Sequence, residues 1–218
     1  MMLKLHGFAQ SGNTFKVAFL LRALGVPWQP VAMSFAEFAA GATRNPAWRE
    51  GVNEMGEVPV LEEDAGRLTT QSGVILTMLA EQHGRFGGNN ADEKREVLRW
   101  LFFDNHKFSS YFATWRFMKS FAAKAPDPAV AAFLKSRIDS AFFVVEKHLA
   151  GRQHIVGDSL TIADMSLSGY LFYPADESGY VLEERFPNIA AWRDRLKTAP
   201  GWGDPYEVLP GERVAPKW

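Results

Sequence analysis

The stretch "LKLHGFAQSGNTFKVAFLLRALG", residues 3–25, joins a strand pattern to a helix pattern through a single serine. Leu3 and Leu5 alternate with polar neighbours, as in a half-buried strand. From Thr14 onward the apolar residues recur at helical spacing until Gly25, a typical C-terminal stop. Ser11 lies at the junction, where it either caps the helix or also contacts a ligand. The stretch therefore predicts a strand followed directly by a helix.

The residues that follow extend this beginning into a small α/β domain. Residues 26–33 predict an edge strand, because their two prolines would interrupt a central hydrogen-bond ladder. A short helix is indicated by "AEFAAGA", residues 36–42, and two strands are predicted at Val58–Leu61 and Leu68–Thr70. Residues 72–83 form a helical pattern that ends at Gly84. This order predicts a small mixed sheet with helices packed on it.

A Gly- and Asn-rich segment then separates this domain from a region without convincing strands. Asn90 with Glu93 resembles a capping box at the start of a long helix. Further helices are predicted at Pro128–Leu149, Ile162–Tyr173 and Pro187–Thr198, the second ending because Pro174 follows. We therefore predict an α/β domain at 1–84, a linker at 85–91 and an all-helical domain at 92–218, with an extended tail.

Composition excludes several classes of function. The 218-residue chain has no cysteine, which removes disulfides, thiolate metal sites and cysteine nucleophiles. The formal charge of −1 argues against nucleic-acid binding. No long apolar segment predicts a secretory signal or a membrane span, and the histidines have no metal-ligand spacing. We expect a soluble cytoplasmic protein without a metal site.

Two short motifs have the residues that peptide binding requires. In "GEVPV", residues 56–60, Pro59 either begins an edge strand or follows a cis Val58–Pro59 bond. A cis bond there would expose the backbone N–H and C=O of Val58 to an extended peptide. Gln71 and Ser72 lie where the next helix begins. Ser72 is predicted as its N-cap, and the free N–H groups of a helix N-terminus also suit a carboxylate.

Four motifs in register resemble the cytosolic glutathione S-transferase family, in its serine-type, bacterial theta- or beta-like branch. They are "SGNTFKV" at 11–17, "NEMGEVPVL" at 53–61, "TTQSGVILTMLAE" at 69–81 and "DSLTIADMSL" at 158–167. The resemblance implies an α/β plus all-α fold, in which a thioredoxin-like domain precedes a C-terminal helical bundle domain. It also implies a detoxifying transferase that attacks small hydrophobic electrophiles with glutathione as cosubstrate, and a homodimer.

The resemblance also implies roles for individual residues. Ser11 is the predicted hydrogen-bond donor to the glutathione sulfur, and Asn13 is the alternative donor. Predicted glutathione contacts are Phe8, Ser11, Glu57, Val58, Pro59, Gln71, Ser72 and Asp104. Predicted contacts to the electrophile are Phe8, Phe108, Tyr111, Phe112 and Trp115. The last four belong to an aromatic stripe that is otherwise explained as domain core or subunit interface.

The fragment "DSLTIADMSL" predicts a folding element, not a catalytic one. Thr161 and Asp164 have the spacing of a capping box, and Leu160 with Met165 has that of a hydrophobic staple. We therefore expect Asp164 to be structural.

Two residues depart from the common family pattern. Glu57 stands where relatives often have Lys or Gln, so its carboxylate would repel the glycine carboxylate of glutathione unless it turns away or a basic group compensates. Gln71 stands where Glu is common. An alternative prediction is therefore a glutathione-transferase-like binding or scaffold protein that is weakly active or inactive. Two roles are open for Asp104: a contact to the γ-glutamyl amine of glutathione, or a structural ion pair.

Overall fold

A computed structural model describes residues 2–218 and divides the chain into two compact units. The N-terminal unit runs through Arg85 and includes Pro200–Arg213, and the helical unit comprises Phe86–Ala199 with Val214–Trp218. The sequence placed the whole tail in the helical domain. The structure differs because Pro200–Arg213 packs on the first helix of the N-terminal unit, where Arg22 Nε donates to Gly201 O at 2.8 Å.

The N-terminal unit is a four-stranded mixed sheet covered by helices. Its elements are β1 Leu3–Gly7, α1 Gly12–Leu24, β2 Trp28–Ala32, α2 Phe35–Ala39, α3 Pro46–Gly51, β3 Val60–Glu62, β4 Leu68–Thr70 and α4 Ser72–His83, with the later α12 at Pro205–Val208. The strand order is β2-β1-β3-β4, with β2 parallel to β1 and the other pairs antiparallel. The predicted edge position of the second strand is confirmed. Helix α3 was not predicted.

The core of this unit lies between the sheet and helices α1 and α4. Helix α1 is buried along almost its whole length and packs on α4, whose buried apolar residues include Ile75, Leu76 and Leu79. Helix α1 ends at Gly25, whose left-handed φ of 70° closes the helix as predicted. The cis Val58–Pro59 bond is also confirmed.

The helical unit contains the remaining helices. They are α5 Ala91–Phe103, α6 Ser109–Ser120, α7 Pro128–His148, α8 Ile162–Ser168, α9 Ala175–Ser178, α10 Leu182–Arg185 and α11 Pro187–Leu196. A π-helical segment, Asp104–Phe108, connects α5 to α6. Helix α8 ends at Ser168 instead of Tyr173, because Gly169 and Leu171 form turn hydrogen bonds to Ser166 O and Ser168 O. None of the helices within residues 2–218 is long and apolar enough to cross a membrane.

The predicted capping box at the start of α8 is confirmed. The Asp164 carboxylate accepts hydrogen bonds from Thr161 N and Ile155 N at 2.9 Å each and from Trp192 Nε1 at 3.0 Å. Asp164 is fully buried, and this burial raises the pKa of its carboxyl against the opposing effect of these donors. Its partners lie in three segments of the helical unit, so Asp164 is a structural residue, as expected.

Candidate functional site

Strand register brings three segments of the N-terminal unit to one end of the sheet. His6 of β1 pairs with Val60 of β3, and Val60 pairs in turn with Thr70 of β4. The antiparallel pairs therefore place the end of β1, the start of β3 and the end of β4 together. The segments that continue from these points are Phe8–Ser11, Asn53–Pro59 and Gln71–Ser72. These three segments contain every site residue that the sequence predicted in this unit except Asn13, which is the second residue of α1 and follows Ser11 by two positions.

The first segment is fixed by a close approach between β1 and α1. A Cβ on Gly7 would lie 2.4 Å from Thr14 Oγ1, so only glycine lets the first turn of α1 sit against the strand end. Ser11 is the N-cap of α1: its Oγ accepts from Thr14 N at 3.2 Å, and its backbone O accepts from Phe15 N at 2.9 Å. Phe8 is buried against Phe35 and Phe38 of α2, with ring centroids 5.7 and 4.8 Å away.

The cap still leaves Ser11 able to donate a hydrogen bond. Its bond to Thr14 N uses a lone pair of Oγ, and the described residues provide no acceptor for the hydroxyl hydrogen. Asn13 is the second residue of α1, and its buried Oδ1 has no hydrogen-bond partner within residues 2–218. The N-terminus of α1, a helix of 13 residues, thus presents two polar side chains with unused hydrogen-bonding capacity next to its partial positive charge.

The second segment presents an extended stretch of backbone. Asn53 holds the turn before β3, because its Nδ2 donates to Glu57 O at 2.8 Å and its Oδ1 accepts from Met55 N at 3.1 Å. Within residues 2–218 neither the N–H nor the C=O of Val58 forms a hydrogen bond. These two groups are therefore free to pair with an added peptide strand.

The third segment begins α4 and differs from the prediction in its cap. Gln71, not Ser72, is the N-cap residue, with a left-handed φ of 67°, and Ser72 is the first helical residue. The first backbone N–H groups of this 12-residue helix have no intrahelical partners and are therefore suited to bind an anion. Gln71 Nε2 donates to Glu57 Oε2 at 3.1 Å and contacts Met55 Sδ at 2.9 Å. The two unusual residues of the sequence therefore pair with each other.

A basic group that sequence reasoning missed lies beside Glu57. A Cβ on Gly56 would be 2.8 Å from Arg49 Nη2, so the guanidinium of Arg49 lies directly over this glycine. Gly56 has a left-handed φ of 71°, which also favours glycine. Glu57 in the sequence indicated that a basic group could compensate for its charge. Nothing in the sequence identified Arg49 as that group, because α3 was not predicted.

One carboxylate of the sheet, that of Glu62, is already paired with basic side chains. Glu62 accepts hydrogen bonds from Lys4 Nζ at 2.7 Å and from His6 Nε2 at 3.0 Å, and these bonds lower the pKa of its carboxyl. Glu62 lies at the opposite end of β3 from Val58. His6 is thereby engaged within the sheet and is not directed at the three segments.

Comparisons with known proteins agree with this geometry. Residues 5–91 match the family description "Glutathione S-transferase, N-terminal domain", and residues 108–200 match "Glutathione S-transferase, C-terminal domain". A glutathione S-transferase-like protein of a Fusarium species is 30% identical over 204 residues, which span 87% of this chain and 85% of the relative.

The chain belongs to the glutathione S-transferase family. A glutathione S-transferase of Arabidopsis thaliana is 26% identical over 210 residues, 92% of this chain and 81% of the relative. The crystal structure of a glutathione S-transferase from Pseudomonas fluorescens superimposes with a TM-score of 0.82 at 31% identity, covering 94% of this chain and all of the other. The N-terminal mixed sheet and the helical C-terminal domain expected from the resemblance are thus confirmed.

In the helical unit of this transferase, three of the four predicted electrophile contacts lie in the domain core. Phe108 and Phe112 pack on Phe142 with centroids 4.6 and 5.2 Å away, and Trp115 Nε1 donates to Ser178 O at 2.6 Å. All three side chains are at most 5% exposed. We therefore reassign Phe108, Phe112 and Trp115 to the core, the alternative that the helical spacing had left open.

Tyr111 differs from those three residues. It lines a half-open cavity of about 180 Å³ between α6 and α7, together with Phe103, Lys107, Arg137, Ser140, Ala141 and Val144. The guanidinium of Arg137 lies over the rings of Tyr111 and Phe133, at 5.7 and 5.6 Å from their centroids.

Asp104 is fully buried at the start of the π-helical segment. Its carboxylate accepts hydrogen bonds from Ser109 Oγ at 2.5 Å and from Ser166 Oγ at 2.6 Å, which connects α6 to α8. These contacts favour a structural role for Asp104 over the contact to the γ-glutamyl amine. No group of three or more His, Asp or Glu within the described residues could hold a metal ion.

Proposed function

We propose that this transferase lays glutathione along the three segments at the end of its sheet and lowers the pKa of the glutathione thiol with Ser11. The observation that carries this proposal is the convergence of free backbone at Val58, two helix N-termini and the Ser11 hydroxyl at one end of the sheet. These features match an extended, anionic peptide that has a reactive sulfur.

The backbone of Val58 pairs with the cysteinyl part of the peptide in this proposal, as an added antiparallel strand. The γ-glutamyl carboxylate occupies the N-terminus of α4, where the N–H of Ser72 and its hydroxyl donate to it. Gln71, held by Glu57, offers its amide oxygen to the γ-glutamyl amine. Pro59 fixes the direction in which the chain enters β3.

In this proposal Arg49 compensates for the repulsion that Glu57 would exert on the glycine carboxylate of glutathione. The carboxylate of Glu57 is directed at Gln71, and the guanidinium over Gly56 provides the positive charge that the glycine carboxylate needs. An Arg49→Gln variant then raises the Michaelis constant for glutathione about tenfold, the loss of one charge-assisted hydrogen bond, while Arg44→Gln serves as the matched control.

Thiol activation depends on the N-terminus of α1. A free thiol with a pKa of about 8.5 is only about 3% thiolate at neutral pH. A hydroxyl donor and the helix dipole together stabilise the anion, and a shift of about two pKa units makes thiolate the main species. The bound sulfur is then a ready nucleophile toward small hydrophobic electrophiles.

A binding and activity experiment tests this function. Titration calorimetry with glutathione, and conjugation of an aryl halide followed by absorbance, are performed on the same preparation. Saturable binding with glutathione-dependent conjugation supports the proposal. Binding without conjugation of aryl halides or activated alkenes would favour the scaffold alternative, and no binding at millimolar glutathione would reject both. A cytoplasmic location is part of the proposal, because that compartment keeps glutathione reduced.

We also propose a homodimer through an apolar face of the helical unit. Leu98 and Phe102 on α5 and Phe133 on α7 are 47, 68 and 56% exposed, and the ring of Phe133 lies 6.4 Å from that of Tyr111, which lines the cavity. Large exposed apolar side chains are typical of interfaces, and we place Tyr111 at this interface through its contact with Phe133. Phe102→Glu should produce monomers in analytical ultracentrifugation. Val181→Glu, at a position 44% exposed, is the control that should remain dimeric.

A further inference from the structure

The C-terminal segment of the N-terminal unit packs against the loop that carries Ser11. Ala9 N donates to Pro210 O at 3.2 Å, and Gln10 Nε2 donates to Glu212 O at 2.5 Å. Between these two carbonyls lies Gly211, where an added Cβ would sit 3.6 Å from Ala9 Cβ. We name Leu209–Arg213 the C-terminal strap.

The loop needs such a partner because it has left the sheet. After Gly7 the backbone no longer pairs with β2 or β3, and buried peptide groups require other hydrogen-bond partners. Ala9 and Gln10 are 0 and 4% exposed. Inside the loop, Ser11 N donates to Phe8 O at 3.1 Å. The strap supplies carbonyl acceptors to Ala9 and Gln10, the two residues immediately before the N-cap Ser11.

The residues that precede the strap are anchored at the C-terminal end of α1. A Cβ on Gly201 would lie 2.2 Å from Ala23 N, so the chain there touches the backbone of the helix, and Gly201 O accepts from Arg22 Nε. Helix α12 then packs on α1, and Leu209 is 3% exposed. The segment Pro200–Arg213 thus contacts α1 at its C-terminal end and the Ser11 loop at its N-terminal end.

We propose that the C-terminal strap and Gln10 are positioning elements of the thiol site. They hold the backbone of Ala9 and Gln10, and through it the N-cap geometry of Ser11 on which thiolate stabilisation depends. The inference rests on the proposed function, in which Ser11 donates to the sulfur. It assigns a role in that chemistry to residues about 200 positions away from Ser11 in the sequence.

Gly211→Val and Gln10→Met test this inference in the full-length chain. Gly211 has a φ of +126°, which valine rarely adopts, so the strap must shift. Gln10→Met removes one donor and keeps the shape of the side chain. We expect the pKa of bound glutathione, read from thiolate absorbance, to rise by about one unit in each variant. Because that is a tenfold change in the ionisation constant, kcat below the thiol pKa falls up to tenfold, recovers at higher pH, and KM for glutathione changes little.

The control is Gly66→Val, which introduces the same residue at another left-handed glycine, with φ of +77° and open space around its Cβ. It should lose a similar amount of stability and keep the thiol pKa of the wild type. Folded strap variants with an unshifted thiol pKa would overturn the role of the strap alone. A wild-type protein that binds no glutathione would overturn the proposed function, and this inference with it.

Discussion

Replacement of Ser11 by alanine has two separable consequences, because its hydroxyl has two roles. Oγ accepts the hydrogen bond from Thr14 N that caps α1, and loss of such a cap costs about 1 kcal/mol of the free energy of unfolding. The hydroxyl hydrogen is the proposed donor to the thiolate. A hydrogen bond to a charged group contributes about 1.5–3 kcal/mol, so its removal should raise the pKa of bound glutathione by about one to two units.

The assay is a pH titration of the enzyme–glutathione complex by thiolate absorbance, together with the pH dependence of kcat. If the wild-type thiol titrates near pH 6.5, the thiol in the variant should titrate at about pH 7.5–8.5. The kcat of the variant should fall below the wild-type value at low pH and recover once the thiol ionises. Ser11→Thr keeps both the hydroxyl and the cap, and should restore most of the shift.

Ser34→Ala is the matched control for the cap. Ser34 caps α2 in the same unit and forms an exposed capping box with Glu37. This variant should lose a comparable free energy of unfolding and leave the thiol pKa unchanged. If Ser11→Ala also leaves the thiol pKa and the pH–rate profile unchanged, Ser11 is only a cap, and Asn13 becomes the donor to test.

Three further predictions concern the helical unit. Thr161→Ala should lower the free energy of unfolding by about 1 kcal/mol in urea titrations, whereas Asp164→Ala, which leaves buried N–H groups unpaired, should cost about 3 kcal/mol or more; equal losses would contradict the network described for Asp164. Asp104→Asn should lower thermal stability without changing the glutathione dissociation constant in calorimetry, because its carboxylate binds two serine hydroxyls; weaker glutathione binding at unchanged stability would contradict a structural role. Burial lowers the pKa of His148 in the folded state, so its neutral form is favoured, and stability should fall as pH drops below the unfolded pKa of about 6.5; His148→Gln should flatten that fall between about pH 7 and 5 in urea midpoints, and an unchanged slope would contradict this assignment.

Sequence alone located the elements whose signals are local. The junction at Ser11, the stop at Gly25 and the capping box of Thr161 and Asp164 each depend on residues a few positions apart, so spacing and side-chain chemistry define them. The cis Val58–Pro59 bond, one of the two alternatives that the sequence left open, is present. These local signals mark where α1 begins and ends, where α8 begins and where the chain enters β3.

Long-range contacts were outside the reach of sequence patterns. The pairing of Glu57 with Gln71 forms across the end of the sheet, and the position of Arg49 over Gly56 depends on a helix too short to show periodicity. The strap at Pro210 meets Ala9 only because the chain returns to the N-terminal unit. An aromatic stripe on a helix looks the same whether it faces a pocket or a core, so burial of Phe108 had to come from the structure.

The most direct test of the central claim is a crystal structure of the protein with glutathione. We predict that the sulfur lies within about 3.5 Å of Ser11 Oγ, an ordinary hydrogen-bond distance for sulfur, and that the peptide pairs with the backbone of Val58. Glutathione bound with its sulfur far from Ser11 and Asn13, or away from Val58, would contradict the account.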